Sequence, residues 1–363
     1  AMPEADTPEP VPVLRRGESV LYHGDSAALM MKTIEPKSVD LIMTSPPFGL
    51  VKEKAYGNKD ADEYVDWFEQ FARGFQRVLK DTGSLVIDIG GAWQKGQPVR
   101  SLYHFELVIR LCRAFGFHLA QEFYWWNPAK LPLPAEWVNI RRIRVKDSVN
   151  CVWWLSKTPY PRANNKRVLQ PYSESMKRLH KRGTFNSGKR PGGHEVSKTG
   201  FLAKHGGSIP HNLIALANTE SNSVYQQYCR DNEIDAHPAR FPAALPAFFI
   251  RMLTDRGDTV LDPFAGSCVT GEVAEQMGRR WICCELEKDY VEGARGRFAE
   301  ADGALFPKYE PTRTKPYKAY PPYFSIHQEE DVPLPEDGGA TRPKRPSEEL
   351  RQGEEDPRTA DDT

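Results

Sequence analysis

This 363-residue chain lacks several features that would assign it to a common class of protein. No uninterrupted apolar run reaches the roughly 18 residues that a membrane-spanning helix requires, and the acidic, proline-rich start is unlike a secretory signal sequence. The cysteines show no metal-ligand spacing; they are Cys112, Cys151, Cys229, Cys268, Cys283 and Cys284. We therefore expect a cytoplasmic protein with reduced core cysteines, no membrane association and no bound metal.

The formal net charge is zero, but the charges are unevenly distributed along the chain. Residues 161–210 contain 11 Lys or Arg and 2 Asp or Glu, whereas residues 327–363 contain 5 and 12. Cations interspersed with glycine, serine and asparagine are typical of a phosphate-contacting surface. The candidates for DNA contact are Lys177, Arg178, Lys181, Arg182, Lys189 and Arg190. A solvated loop with incidental charge would explain the same composition about equally well.

The tetrapeptide Ser45-Pro46-Pro47-Phe48 follows the short apolar run of residues 39–44. Such a run is typical of a buried parallel strand, and open α/β sheets bind ligands at the carboxyl ends of their strands. Two consecutive prolines remove two backbone N–H groups and leave rigid carbonyl acceptors. Ser45 Oγ and the Pro46 carbonyl are suited to accept from an exocyclic base amine, while Phe48 offers a face for stacking. An ordinary Pro-Pro loop would have the same sequence.

A second motif lies at residues 260–267, where an apolar run leads into a glycine-containing turn and then a helix. Gly266 permits close approach of a ligand, and Asp262 at the strand end can accept from an ammonium group. The next apolar run ends in Glu285, a candidate for ribose hydroxyls, and Asp25 ends a strand near the N-terminus and could hold an adenine amine. The two glycine-rich phosphate-binding patterns are absent from this turn, which favours S-adenosylmethionine over a dinucleotide or nucleotide. Helix capping or solvation would explain each acid singly.

Together these motifs resemble the β class of DNA amino-methyltransferases, in which the catalytic motif precedes the cofactor motif. The Ser-Pro-Pro-Phe sequence resembles the cytosine-N4 enzymes of restriction–modification systems, and Cys268 is a departure that affects local packing only. The resemblance makes Ser45, Pro46, Pro47 and Phe48 the catalytic residues. It adds His237, Phe241, Pro263, Phe264 and Ser267 to the cofactor-binding residues, and Trp126 and Asn127 as weaker candidates for the base pocket.

The resemblance implies an α/β fold, a Rossmann-like methyltransferase sheet that is mostly parallel with an antiparallel edge strand. Its motif order is circularly permuted and it carries an inserted target-recognition region. It implies S-adenosylmethionine as cofactor, double-stranded DNA as partner, a cognate restriction endonuclease as functional partner, and a nucleoid-associated bacterial or archaeal protein. The oligomeric state stays open, a homodimer included.

The predicted organisation has five parts. These are a disordered arm at 1–16, the catalytic part at 17–156, the target-recognition region at 157–236, the cofactor-binding part at 237–300, and a mostly disordered Pro-rich, acidic tail at 301–363.

Three other functions are weighed against cytosine-N4 methylation. Adenine-N6 methylation uses the same chemistry, and the serine that begins the tetrapeptide of residues 45–48, called the lip below, is suggestive against it and not decisive. A protein glutamine methyltransferase would not need the basic insertion. A binding module without catalysis would be expected to have lost Pro46, Pro47 or the turn at Asp262, and all are present. No cysteine follows a proline, so the nucleophile of cytosine-C5 enzymes is missing.

Overall fold

The structure is a computed structural model that describes residues 8–49, 61, 63–218 and 223–298. Its strands are β1 (Val11–Arg16), β2 (Ser19–His23), β3 (Val39–Thr44), β4 (Leu79–Ile89), β5 (His118–Trp126), β6 (Val149–Ser156), β7 (Gly188–Lys189), β8 (Glu195–Val196), β9 (Leu213–Ala215), β10 (Thr259–Asp262) and β11 (Arg280–Glu285). Its α-helices are α1 (Ser26–Ala28), α2 (Tyr64–Val78), α3 (Tyr103–Phe115), α4 (Glu174–Arg182), α5 (Val224–Asp231), α6 (Ala244–Leu253), α7 (Val269–Gln276) and α8 (Lys288–Arg295).

Nine strands form one sheet in the order β1-β2-β11-β10-β3-β4-β6-β5-β9, and β7 and β8 form a separate hairpin. The central strands β2, β11, β10, β3 and β4 are parallel, so their carboxyl ends share one edge. β6 pairs antiparallel with both β4 and β5, and β1 pairs antiparallel with β2 at one end. This is the mostly parallel sheet with an antiparallel edge that the sequence predicts, with a second antiparallel strand inside it.

Helices cover both faces of the sheet because each carries an apolar stripe. α2 illustrates this: Phe68, Phe71 and Phe75 recur at helical spacing and are buried against the sheet. On the opposite face, α6 is buried along almost its whole length. The strands between these layers are fully buried at the centre, β3 at all six positions. Among the described residues, no helix is long and apolar enough to cross a bilayer.

The first described residues differ from the prediction of a disordered arm at 1–16. Val11–Arg16 forms strand β1, and Arg16 donates two hydrogen bonds to Glu275 Oε1, at 3.0 and 2.8 Å. β1, with the sequence VPVLRR, does not alternate apolar and polar residues, so it is not found from sequence; its stability comes from pairing with β2. The prediction of disorder is therefore wrong for residues 11–16.

The region between β6 and α6 contains α4, the β7–β8 hairpin and β9. β9 pairs parallel with β5, which places Ala215 of this insertion beside Trp126 at the sheet edge, and α5 follows β9. β5 and β6 are antiparallel as predicted, but β9 lies outside β5 and is the true edge strand. The domain boundaries at 156/157 and 236/237 fall in loops, after β6 and before α6. The predicted tail at 301–363 lies outside the described residues.

Candidate active site

The two sequence motifs are far apart in the chain and adjacent in the sheet. β3 and β10 pair in parallel, with Val260 opposite Leu41 and Leu261 opposite Ile42. Just beyond this pairing, Thr44 Oγ1 donates to Asp262 Oδ1 at 2.7 Å. The sheet therefore places the strand end that leads to Ser45 directly beside the strand end that leads to the glycine turn.

Asp262 is only 1% exposed and its two oxygens are engaged within the protein. Oδ1 accepts from Thr44 and from the Phe264 N–H at 3.2 Å, and Oδ2 accepts from Thr270 Oγ1 at 2.6 Å. Burial raises the pKa of Asp262 to about 6, against the lowering effect of these hydrogen bonds. The side chain connects β3, the turn and α7. Its predicted contact with an ammonium group stays a prediction.

Ser45 is hydrogen-bonded to the carboxylate of Asp88, a residue that was not predicted from the sequence. Ser45 Oγ donates to Asp88 Oδ2 at 3.1 Å, and Asn150 Nδ2 donates to Asp88 Oδ1 at 3.1 Å. Asp88 lies at the end of β4, next to β3, and is 1% exposed. Burial raises its pKa to about 6 although Asn150 and Ser45 stabilise the anion. The Ser45 proton is thus directed inward, which leaves the oxygen's lone pairs for an outside donor.

The rest of the lip packs tightly against the loop after β4. Pro46 is buried, while Pro47 and Phe48 are half-buried. A Cβ atom placed on Gly90 would lie 2.6 Å from Phe48 Cε2, so the ring rests on a backbone that only glycine allows. Phe48 is fixed on one side and partly accessible on the other. The predicted loop after the lip, residues 49–60, lies outside the described residues beyond Gly49.

The predicted cofactor residues Gly266, Glu285, His237 and Asp25 lie together. Gly266 has φ +51°, and its N–H donates to Glu285 Oε2 at 2.6 Å. A Cβ atom on Gly266 would lie 3.1 Å from His237 Nε2, so the histidine ring covers the turn. Gly24 N donates to the Glu285 carbonyl at 3.0 Å, which places Asp25 beside Glu285. Burial raises the pKa of Glu285. The pKa of His237 is lowered to about 4, mainly by burial and to a smaller extent by the positive charge of Arg240.

Asp25 also caps α1, because its Oδ1 accepts from Ala28 N at 2.7 Å. The second Asp25 oxygen and the lone pairs that Glu285 keeps make an acceptor-rich edge. A nucleoside with two ribose hydroxyls and an amine offers the matching donors. The geometry therefore fits S-adenosylmethionine, whose adenosine carries these groups.

The other predicted cofactor residues have contacts within the protein, and their contact with the cofactor stays a prediction. The ring of Phe264 contacts Phe71 at 4.7 Å between centroids and belongs to the aromatic cluster on α2. Pro263 and Ser267 are buried, and Ser267 Oγ accepts from Arg297 Nη2 at 3.0 Å. Phe241 is half-buried against the core that surrounds α6.

The two candidates for the base pocket have mainly structural contacts. Asn127 Oδ1 accepts from Ala129 N at 3.1 Å and from Asn218 N at 3.3 Å. The Trp126 carbonyl accepts from Leu216 N at 3.0 Å, and its side chain is half-buried. Asn127 therefore joins the end of β5 to the segment that follows β9. A contact with a base stays a prediction for both residues.

The six basic candidates are all exposed on the insertion. Lys177, Arg178, Lys181 and Arg182 lie on one side of α4, while Lys189 and Arg190 lie on and after β7. Only one of the four helical cations has an acid beside it, since Lys177 Nζ lies 2.7 Å from Glu174 Oε1. The described part of the insertion thus presents a largely uncompensated positive surface.

Three residues that the sequence did not predict support the candidate site through hydrogen bonds: Asp88, Asn150 and Arg297. Arg297 is 7% exposed, pairs with Glu272 at 2.6 Å and holds Ser267. Asp88 could have been predicted, because its carboxylate ends the apolar run of β4 in the same way as Asp262 ends that of β10. Asn150 and Arg297 had no signal, because their roles depend on which strand and helix pack nearby.

Comparison with known proteins agrees with this geometry. The family described as DNA methylase matches residues 39–296. The type II methyltransferase M.PvuII of Proteus hauseri is 49% identical over 291 residues, 80% of this chain and 86% of that protein. The solved structure of the PvuII DNA methyltransferase (cytosine-N4-specific) matches with a TM-score of 0.65 at 43% identity, covering 81% of this chain and 90% of that one. A DNA modification methylase of Thermus thermophilus shares the fold, with a TM-score of 0.50 at 22% identity over 78% of this chain and 96% of that one.

Proposed function

Since this chain belongs to the DNA methylase family, we propose that it transfers a methyl group from S-adenosylmethionine to the exocyclic N4 amine of cytosine in duplex DNA. The observation that carries the proposal is the Ser45–Asp88 hydrogen bond, 3.1 Å long, at the same edge of the sheet as Asp25, Gly266 and Glu285, which together form the proposed cofactor cradle. It orients an acceptor toward the position of a target amine. The M.PvuII relative, with its cytosine-N4-specific structure, favours cytosine over adenine.

The first task of the site is to prepare a poor nucleophile. The N4 lone pair of cytosine is conjugated into the ring, so it must be localised before it can react. Ser45 Oγ and the Pro46 carbonyl accept the two N4 protons, while Phe48 stacks on the flipped base. Because Asp88 already accepts the Ser45 proton, Ser45 is held as an acceptor. Most of the acceleration comes from positioning.

The second task is to manage charge. S-adenosylmethionine supplies an electrophilic methyl group bonded to a sulfonium. As the new N–C bond forms, the bond between methyl and sulfur would break and the sulfur would leave as a neutral thioether, while N4 becomes positively charged and its protons become acidic. The Asp88 carboxylate, behind Ser45, stabilises this charge through the hydroxyl, and the surplus proton leaves to solvent or through Ser45. A covalent cysteine adduct is unnecessary.

The cofactor contacts follow from the acceptor-rich edge. Glu285 accepts from ribose hydroxyls and Asp25 from the adenine amine, while Gly266 and His237 let the turn approach the ligand closely. Asp262 shapes the turn through Thr44, Thr270 and the Phe264 N–H. Any contact of Asp262 with the ammonium group is additional to this role.

The insertion at 157–236 is the target-recognition region in this proposal. Neutralising Lys181, Arg182, Lys189 and Arg190 to Ala should weaken DNA binding and reduce the log–log slope of affinity against salt by about one per lost phosphate contact. Fluorescence anisotropy with a labelled duplex at several salt concentrations measures this. A quadruple variant with the wild-type slope would show that phosphates are bound elsewhere. Calorimetric S-adenosylmethionine binding, expected to be unchanged, controls for folding.

The reaction is tested by its product. Plasmid DNA incubated with the protein and S-adenosylmethionine, then digested to nucleosides, should contain N4-methylcytosine by mass spectrometry. Detection of N6-methyladenine alone would show that the target base is adenine, and detection of 5-methylcytosine would overturn the mechanism.

A cognate restriction endonuclease is proposed as functional partner; plasmid methylated by this protein should resist that nuclease. Oligomeric state, a homodimer included, is read from sedimentation at several protein concentrations.

A further inference from the structure

The segment that joins β5 to β6, residues 127–148, lies at the rim of the candidate active site. β5 runs in the same direction as β4, so the segment leaves the sheet at the edge where Ser45 and Asp88 lie. It returns at Asn150, whose side chain binds Asp88. The Asn127 N–H donates to the Ser148 carbonyl at 2.8 Å and closes the base of the segment.

The segment is built and anchored. Asp147 accepts from Trp93 Nε1 at 2.8 Å and pairs with Arg100, which ties the segment to the loop after β4. Arg144 Nη2 donates to the Pro98 carbonyl at 2.8 Å. Lys146 Nζ donates to the Lys130 carbonyl at 3.1 Å. These bonds fix the segment without burying its outer surface.

That outer surface combines exposed apolar residues with arginines. Ile140 is 70% exposed, Ile143 49% and Val145 86%, and Leu131 and Leu133 are exposed as well. Every residue from 140 to 146 is either apolar or basic, in the order Ile-Arg-Arg-Ile-Arg-Val-Lys. Side chains this apolar are rarely so exposed together unless a partner covers them. This mixture suits duplex DNA, where cations bind phosphates and apolar side chains enter between base steps.

Charge also favours DNA as the occupant. The segment has five Lys or Arg and two acids, and both acids are paired internally, Glu136 with Arg141 at 2.7 Å and Asp147 with Arg100. Among the described residues, the side chains of Arg142 and Lys130 have no hydrogen-bond or ion-pair partner. Arg142 has φ +55°, a conformation that a non-glycine residue rarely adopts and that is often found at functional sites. Lys130 is half-buried, and the negative charges of Asp147 and Asp88 act on it electrostatically.

We propose that residues 127–148 are a second DNA-contacting element, in which Arg142 binds a backbone phosphate beside the target nucleotide and Val145, with Ile140 and Ile143, occupies the gap left by the flipped base. The inference rests on the proposed function. In this proposal residues 127–148 open the duplex, and the insertion at 157–236 recognises the DNA sequence.

The test uses the full chain and a duplex carrying its site, located by mapping methylated cytosines in plasmid DNA. Arg142→Ala should weaken binding about 10-fold and lower the log–log salt slope by about one. Pyrrolo-cytosine fluoresces more strongly when it is unstacked, so a duplex with this base at the target position reports base flipping. Val145→Ser should keep the salt slope of binding but lose at least half of the fluorescence gain. The matched control is Arg113→Ala, an exposed arginine near the end of α3 at the opposite edge of the sheet.

Wild-type behaviour of both variants in both measurements would overturn the proposal. Variants that change sedimentation from dimer to monomer, with DNA binding intact, would overturn it too and show a contact between copies. Because Val145 is 86% exposed, its replacement by serine should not disturb folding, and a negative result counts against the proposal. Absence of methylated cytosine with the wild-type protein would instead reject the proposed function, so the two failures are distinguishable.

Discussion

Replacing Asp88 with asparagine should lower kcat about 100- to 1000-fold, the effect of removing a preorganised group that stabilises developing charge. Asparagine keeps the size of the side chain but removes the negative charge behind Ser45. It can also donate to Ser45 Oγ, which would occupy the lone pair that the target amine needs. S-adenosylmethionine affinity should not change, since Asp88 lies behind the lip. Single-turnover methylation of plasmid DNA, with calorimetric cofactor binding alongside, measures both.

The pH dependence separates Asp88 from its neighbours. Asp88 must be ionised to act, and burial raises its pKa to about 6, so kcat should fall about tenfold per pH unit below 6 and be flat above it. Asp262 has a pKa raised to about 6 as well, so wild-type data alone would not identify the group. The residual activity of Asp88→Asn should show no such fall. A fall that persists in this variant would point to Asp262 and contradict the role given to Asp88.

Asp262→Ala should destabilise the protein by about 3–9 kcal/mol, because three donors, two of them buried, each lose their acceptor at about 1–3 kcal/mol. The turn that Asp262 holds should loosen with it, and we expect S-adenosylmethionine affinity to fall about 10- to 100-fold. Urea unfolding gives the first quantity and calorimetry the second. Thr270→Val is the matched control, since it removes one of the three donors and leaves the other two in place.

A folded Asp262→Ala protein with wild-type cofactor affinity would show that the turn at Gly266 is not the cofactor cradle. The pH dependence of stability gives an independent check. The folded pKa of Asp262 is raised from 3.8 to about 6, so its ionised form costs stability above pH 6, and this cost shrinks as the pH falls below 6 until it is gone below 3.8. Because asparagine does not titrate, the stability advantage of the wild type over Asp262→Asn should grow between pH 7 and pH 5.

The sequence predicted the parts of this fold that local patterns encode. β3 and β10 are short apolar runs ending at turn residues, and both appear at the predicted edge, where Gly266 approaches Glu285. The sheet class was confirmed by the strand order. β1 was missed because its stability comes from pairing with β2.

The roles of side chains were harder to predict than their positions. Asp262 and Asn127 were assigned to ligands, yet their oxygens accept hydrogen bonds from within the protein. Asp88 was passed over because an acid at the end of an apolar strand looks like any boundary residue until the neighbouring strand is known. Such assignments depend on contacts between residues far apart in the chain, which local sequence patterns do not contain.

The pairing of β3 with β10 has a consequence for how the chain folds during synthesis. Thr44 and Asp262 are 218 residues apart, and at about 5–20 residues per second the ribosome needs about 10–40 s to deliver the second after the first. Throughout that interval β3 lacks one of its two neighbours, and β2 lacks β11 for slightly longer. Unpaired apolar strand edges are templates for aggregation. Nascent chains should therefore depend on chaperones until residue 285 has emerged, and stalling translation before β10 should leave the amino-terminal half sensitive to protease.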